Sequence, residues 1–238
     1  KTAYCFGNPG HTRAPPSITM LRLSGGDSYS CALKDDSTIT CWGDSAKSRT
    51  MAPAGQFKLI VSSSSHSCAL RLSDSLPICW GENTYNQLSL PSVPMSFLGV
   101  GDKSSCGILL ADKTIVCSSS ITQITSNIPT GAFQHVCTSA SYACGIRDGN
   151  SAPVCFGSHP LAGMEEQNPP IMKSVECSSS FYFAGLTAST SLLSIWPSTR
   201  VPSFSALPNF AVSHIFVTNL YVICYISVSK FFCTTQSG

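Results

Sequence analysis

The sequence predicts an all-β chain folded as a β-propeller, on three observations. A hairpin unit with two cysteines recurs at a near-fixed period. The units are rich in Ser, Thr, Val and Ile and carry no amphipathic helical stripe. A column of small residues keeps the same phase. The unit is clearest from Ser30 to Gly43, S-C-A-L-K-D-D-S-T-I-T-C-W-G, where two short apolar runs flank a polar turn at Lys34 to Ser37. This reads as two antiparallel strands stapled by Cys31 and Cys41.

The unit returns along the chain. Cys68-Ala69-Leu70 leads to Cys79-Trp80-Gly81, Cys106-Gly107-Ile108 to Cys117, Cys144-Gly145-Ile146 to Cys155-Phe156-Gly157, and Cys224 to Cys233. A degenerate copy runs from Ala184-Gly185-Leu186 to Ser194-Ile195-Trp196, and Tyr4-Cys5-Phe6-Gly7 is a lone second half. Six first halves and seven second halves result, the latter at 5, 41, 79, 117, 155, 194 and 233, spaced 36 to 39 residues apart. A fixed period in this range marks a solenoid, an array or a propeller. A hairpin with one or two flanking strands fills such a unit as a propeller blade does. Five residues before each first-half cysteine stand Gly26, Ser63, Gly101 and Ser139, with Ser179 and Asn219 in the last two copies. Inner strands crowd around an axis, and close backbone approach there needs small residues.

In order, Lys1 to Gly7 is an orphan strand and Asn8 to Ser17 a loop rich in Gly and Pro. Ile18 to Leu23 and Tyr29 to Leu33 are inner strands of the first complete blade, and Ser37 to Trp42 the next strand. Later blades run from Lys58 to Gly81, Ser96 to Cys117, Phe133 to Gly157, Ile171 to Trp196 and Phe210 to Cys233. Between them lie variable loops at Asp44 to Phe57, Glu82 to Met95, Ser118 to Ala132 and Ser158 to Pro170. No linker divides residues 1–238 into two folds, so one domain is expected. Recognition residues are commonly carried on loops of this kind. The fifth blade, having lost its staple, is expected to be the loosest.

With 238 residues the chain is long enough for one large β domain with a core. Charged residues make up 11% and the formal net charge is +2, with no basic stripe, which argues against nucleic acid as a partner. Thirteen cysteines in repeating pairs argue for an oxidising compartment. The rival reading is zinc, but nine or ten residues between paired cysteines lack the C-x2-C knuckle of structural zinc sites. Neither a metal nor another cofactor is expected. Cys137 and Cys177 each stand seven residues before a first-half position, Cys144 and Ala184. A bridge between neighbouring blades is the expectation, two buried free thiols the alternative. Cys5 lacks a mate, so it is expected to be unpaired and the chain cut short at its N-terminus. Phe210 to Phe232 is apolar enough to suggest a membrane span, but His214, Asn219 and Lys230 interrupt it and its cysteines keep the repeat phase, so blade strands are expected.

Candidate chemistry is sparse. Gly43-Asp44-Ser45 is similar to a block of some esterases, but a serine nucleophile needs a positioned base and an oxyanion hole. The triplet falls at the turn after C-W-G, and Gly26-Asp27-Ser28 repeats it. His66 shares a column with Tyr29, Ser104, Tyr142, Tyr182 and Val222, two residues before each first-half position, which makes it a packing residue. His135 has the same reading. Trp42, Trp80 and Phe156 are expected to pack between blades. Glu165 and Glu166 read as a solvated acidic pair, and no N-x-S/T sequon occurs.

The C-A-L and C-G-I first halves at 31, 68, 106 and 144, with C-W-G or C-F-G second halves at 5, 41, 79 and 155, resemble the ectodomains of plant CRINKLY-type receptor-like kinases, of the CRINKLY-related subgroup. The resemblance implies a seven-bladed propeller similar to regulators of chromosome condensation, the first blade being incomplete in this chain. It implies a secreted ectodomain on the outer face of the plasma membrane. A single transmembrane helix and a cytoplasmic Ser/Thr kinase domain would lie outside this chain. The chain itself is then expected to be non-enzymatic and to sense a secreted peptide or another receptor ectodomain. A homotypic association module is the alternative, and a propeller hydrolase a second one. Cys117 departs from the pattern, being followed by Ser118 and Ser119 rather than Trp-Gly.

Overall fold

The computed structural model describes residues 19–158, 171–177, 183–187, 189, 191, 193–196, 214–219, 222–227 and 230–235. Among them are six three-stranded antiparallel sheets, each a meander in chain order. Sheet 1 is β1 (Met20–Gly25), β2 (Tyr29–Lys34) and β3 (Ile39–Gly43). Sheet 2 is β4 (Phe57–Ser62), β5 (His66–Arg71) and β6 (Pro77–Gly81). Sheet 3 is β7 (Met95–Val100), β8 (Ser105–Leu109) and β9 (Ile115–Ser118), followed by the short helix α1 (Thr122–Ser126). Sheet 4 is β10 (Phe133–Thr138), β11 (Tyr142–Arg147) and β12 (Pro153–Gly157). Sheet 5 is β13 (Met172–Cys177), β14 (Phe183–Thr187) and β15 (Leu193–Trp196). Sheet 6 is β16 (His214–Asn219), β17 (Val222–Ser227) and β18 (Lys230–Thr235). The apolar stretch from Phe210 to Phe232 thus contains strands. No helix among the described residues is long and apolar enough to cross a membrane.

Each sheet is too thin to bury its faces alone, so it packs on its neighbours. The first strands β1, β4, β7, β10 and β13 pack successively against one another, while the third strands lie outside them. Seam cores form between consecutive sheets. Phe133, Val136, Ala143 and Phe156 of sheet 4 meet Cys106, Ile108 and Ile115 of sheet 3, and Tyr142, Cys144 and Ile146 meet Met172 and Val175 of sheet 5. Met20, Phe57, Met95, Phe133 and Met172 each open their sheet, each followed by a bulge against the second strand.

The small column marks the closest approach. Gly26 and Gly101 sit in the turns between first and second strands, and a side chain there would collide with the backbone of the next sheet: at Ser63 for Gly26, and 2.5 Å from the Thr138 and Ser139 carbonyl oxygens for Gly101. Each turn is closed by the amide of the column residue, from Gly26 to Tyr29 O, Ser63 to His66 O, Gly101 to Ser104 O and Ser139 to Tyr142 O, at 2.8–2.9 Å. The Ser179 member of the column lies outside the described residues.

A second link has no obvious signature in the sequence. Ser37, Ser75, Lys113, Ser151 and Ser191, in the turns between second and third strands, have φ of 54° to 66°. This left-handed geometry turns a carbonyl outward. Ser37, Ser75, Lys113 and Ser151 each accept from the amide opening the following sheet: Phe57, Met95, Phe133 and Met172, at 2.7–3.0 Å.

Disulfides join Cys31 to Cys41, Cys68 to Cys79, Cys106 to Cys117 and Cys144 to Cys155, each across its own hairpin at Cα separations of 4.0–4.1 Å. Cys224 and Cys233 stand opposite each other at the same register place in sheet 6. Cys137 of β10 bridges to Cys177 of β13, Cα to Cα 5.4 Å, tying sheet 4 to sheet 5.

Two expected equivalences are corrected by the register. Cys137 pairs with Cys144, whereas Ala184 is opposed by Glu176 and not by Cys177. Four residues separate the last paired residues Thr138 and Ala143, but five separate Cys177 and Phe183, which pushes Cys177 one place along. The partner of Ala184 across β14–β15 is Ile195, not Ser194, so Ile195 stands where the other sheets place their second cysteine. Cys5 and the Glu165–Glu166 pair lie outside the described residues.

Candidate functional site

Two polar groups stand out: a cluster at the end of the sheets where first and second strands turn, and a set along the inner strands.

The turn-end cluster begins with the glycine of C-W-G. Gly43, Gly81 and Gly157 have φ of +108°, +110° and +90°, and a Cβ on Gly81 would lie 2.7 Å from Ser65 O. The glycine lets the third strand end against the preceding turn, where Asp44, Glu82 and Ser158 donate amides to Ser28, Ser65 and Ser141 carbonyls. The two G-D-S triplets are thereby brought together. Arg49 donates to Ser28 Oγ (3.0 Å) and to Asp44 Oδ2 (3.4 Å), and Asp44 Oδ1 accepts from the Ala46 amide (2.9 Å). Next to them Lys47 pairs with Glu82, whose carboxyl is held below its usual range chiefly by that bond and by Thr84. Asp27 has a raised pKa, from burial first and Asp102 second. Ser64 donates to Asp102 (2.8 Å). Asp27, Ser64 and Asp102 each follow the small column residue, so they form one row across three sheets. Ser45 is exposed and opens the short 3-10 turn Ala46–Ser48. Among the described side chains no base meets either triplet: Arg49 is a permanent cation, and His66 and His135 lie elsewhere.

The column of His66 is a row of links between sheets. Tyr29 Oη meets Ser67 Oγ (2.8 Å), His66 Nε2 meets Ser105 Oγ (2.7 Å) and Ser104 Oγ meets Thr138 Oγ1, each crossing to the next sheet. His66 Nδ1 is taken by Ser63 Oγ (3.1 Å), and burial lowers its pKa to about 4. The packing role read from the sequence is thus accompanied by hydrogen bonding. In sheets 2 to 4 the residue after the second cysteine anchors the loop of the preceding sheet, whereas the buried Trp42 Nε1 of sheet 1 has no hydrogen-bond partner among the described residues. Trp80 Nε1 donates to Arg49 O (2.9 Å), Ser118 Oγ donates to Asn86 O (2.5 Å) and Phe156 packs on Ile124 of α1. Ser118 therefore replaces an indole donor with a hydroxyl, which explains how sheet 3 dispenses with Trp-Gly.

Along the inner strands, Arg22, Leu59, Phe97, His135 and Ser174 are the first residues after the bulge on five successive sheets. The Phe97 and His135 rings lie 4.1 Å apart between centroids. Burial lowers the His135 pKa to about 4, with Arg22 acting in the same direction. Glu176, on the same face of β13 as Ser174, is raised to about 7 by burial against a weaker opposing effect of Arg22. Arg22 on sheet 1 is therefore within electrostatic reach of sheets 4 and 5, as in a ring whose inner strands face one another.

The described sheets define a disulfide-stapled β-propeller. No family model matches the chain, and no curated protein matches it. Among solved structures it is similar to the entire ectodomain of the Physcomitrella patens receptor kinase CR4, with TM-score 0.77 and 24% identity over 94% of this chain and 63% of that one. It is similar to the CRINKLY WD40 ectodomain of the Arabidopsis thaliana receptor kinase ACR4, with TM-score 0.75 and 23% identity over 93% and 81% of the two chains. Yeast RCC1 (Prp20), crystallised with Kap60, matches at TM-score 0.59 and 14% identity over 72% and 55%. The fold is thus that of crinkly-type ectodomains, and the chain spans less than two thirds of the length of the Physcomitrella one.

Proposed function

We propose that residues 1–238 form one non-enzymatic propeller that serves as the extracellular sensing domain of a single-pass receptor-like Ser/Thr kinase. It binds a secreted peptide or a partner receptor ectodomain. The observation that carries this reading is the row of covalently stapled hairpins, suited to an oxidising exterior, on a fold shared with receptor-kinase ectodomains over nearly the whole chain. A sixth staple between Cys224 and Cys233, with Cys5 unpaired, belongs to the same proposal. The turn-end loops, fixed by Trp80, Ser118 and Arg49, are rigid enough to present a binding surface. The test is calorimetric titration of the secreted chain with candidate secreted peptides. Micromolar or tighter binding supports the reading, and no binding to any peptide or ectodomain counts against it.

Homotypic association is the second reading. Leu72, Leu110 and Ile171 are 46%, 54% and 60% exposed around the opposite end of the sheets. Sedimentation at several concentrations separates the two, because a strict monomer excludes self-association.

A further inference from the structure

We propose that the inner wall of the propeller binds a carboxylate group, from a small organic acid or the free terminus of a peptide, between Arg22, His135, Ser174 and Glu176. The peptide source rests on the receptor reading above, whereas the small-acid source does not.

The wall is built by register. Arg22, His135 and Ser174 occupy one place on sheets 1, 4 and 5, and Glu176 lies two residues beyond Ser174 on the same face. The contact of Phe97 with His135 shows that side chains at this place on adjacent sheets meet. His135 Nδ1 and Ser174 Oγ are buried and have no hydrogen-bond partner. Buried polar atoms left unpaired are costly and rare. The contrast with His66 is direct, since both of its ring nitrogens are bonded. Two orphaned polar atoms on adjacent strands, with a guanidinium in electrostatic reach, define a place for a polar guest.

The donor set selects its charge. Arg22 is a permanent cation whose planar fork suits a carboxylate. Ser174 offers a hydroxyl, and neutral His135 can present Nδ1–H. Glu176 donates a proton when it is in the acid form and repels an anion when ionised. Of the elements packed on β13, β14 has no ionisable side chain, β10 carries His135, β11 carries Tyr142 and Arg147, and β16 carries His214. Burial places the Glu176 transition near pH 7, with Arg22 opposing it. Carboxylate binding is therefore full below that value and is lost as pH rises through it.

The experiment titrates the whole chain by calorimetry and NMR with acetate, glutarate, a peptide with a free C-terminus and its amidated counterpart, between pH 6 and 8. Acetate or glutarate binding that falls with pH is expected. Arg22→Gln, at an exposed position, weakens it roughly tenfold or more, the effect of losing a charge-assisted bond. Glu176→Gln binds at pH 6 and flattens the pH dependence. A free terminus preferred over its amide assigns the peptide source, and equal peptides with bound small acid assign the other. The proposal is overturned if no carboxylate binds, if Arg22→Gln binds as the parent does, or if Glu176→Gln keeps the pH slope. Peptide binding indifferent to its terminus and to Arg22, without acid binding, overturns it while leaving the receptor reading intact.

Discussion

Sheets 1 to 4 each carry a disulfide between their own second and third strands, whereas sheet 5 has Ala184 opposite Ile195 and is tied to sheet 4 through Cys137 and Cys177. A hairpin staple closes a chain segment of 10 or 11 residues and holds one sheet together. The inter-sheet bridge closes 40 residues and fixes how two sheets dock. The fifth sheet has exchanged internal stiffness for a covalent hold on its neighbour, so its weakness is placed in the outer hairpin rather than in the seam.

The largest test removes the bridge. By chain entropy, Cys137→Ser with Cys177→Ser costs about 4 kcal/mol, against about 3 for the pair Cys68→Ser and Cys79→Ser. Denaturant unfolding that ranks them the other way would break the comparison. The seam links differ as well: sheets 1 and 4 have Tyr29 and Tyr142 where sheet 2 has His66. Because folding depresses the His66 pKa, its contribution is fully present above the unfolded value of about 6.5 and is lost as pH falls toward about 4. The loss amounts to about 3 kcal/mol at most. His135 is depressed to the same value, so His66→Tyr removes about half of the pH slope that the two histidines give in unfolding titrations.

Restoring the missing staple sharpens the contrast further. Ala184→Cys with Ile195→Cys closes a bridge and adds about 2–3 kcal/mol. Ala184→Cys with Ser194→Cys closes none, and a non-reducing peptide map distinguishes them. The smallest effect is at the end of the third strand. Gly81→Ala costs about 2 kcal/mol, from its left-handed backbone and the Ser65 carbonyl. Ser119→Gly in sheet 3, where the Ser119 hydroxyl donates to Lys103 O (2.8 Å) and accepts from the Ile121 amide (3.0 Å), costs about 1 kcal/mol through those lost bonds. No loss at Ser119, read by thermal unfolding, would show that its hydroxyl does not close sheet 3.

The covalent part of the fold was legible because cysteine spacing survives loops of unequal length. Cys31, Cys68, Cys106 and Cys144 announce their hairpins without help, and Gly26 and Gly101 announce the crowded inner turns. The extra residue between Cys177 and Phe183 is not legible, so spacing alone aligns Cys177 with Cys137; Ser194 misses by one for a separate reason, since Ile195 stands eleven residues after Ala184 as Cys79 does after Cys68. The carbonyl links at Ser37, Ser75, Lys113 and Ser151 were hidden for another reason, since a backbone oxygen leaves little trace in residue type. The inner-wall group was invisible for a third. Arg22 and Glu176 lie 154 positions apart and come within electrostatic reach of each other only through the ring.

Those left-handed turns also give the chain a polarity. Through these turns sheets 1 to 4 each lend a carbonyl oxygen forward, so each offers its successor an acceptor in the order of synthesis. Growth from the first sheet always meets a ready acceptor. A fragment that starts midway has lost the acceptor of its own opening amide, and shortening from the front therefore frays a different strand than shortening from the back.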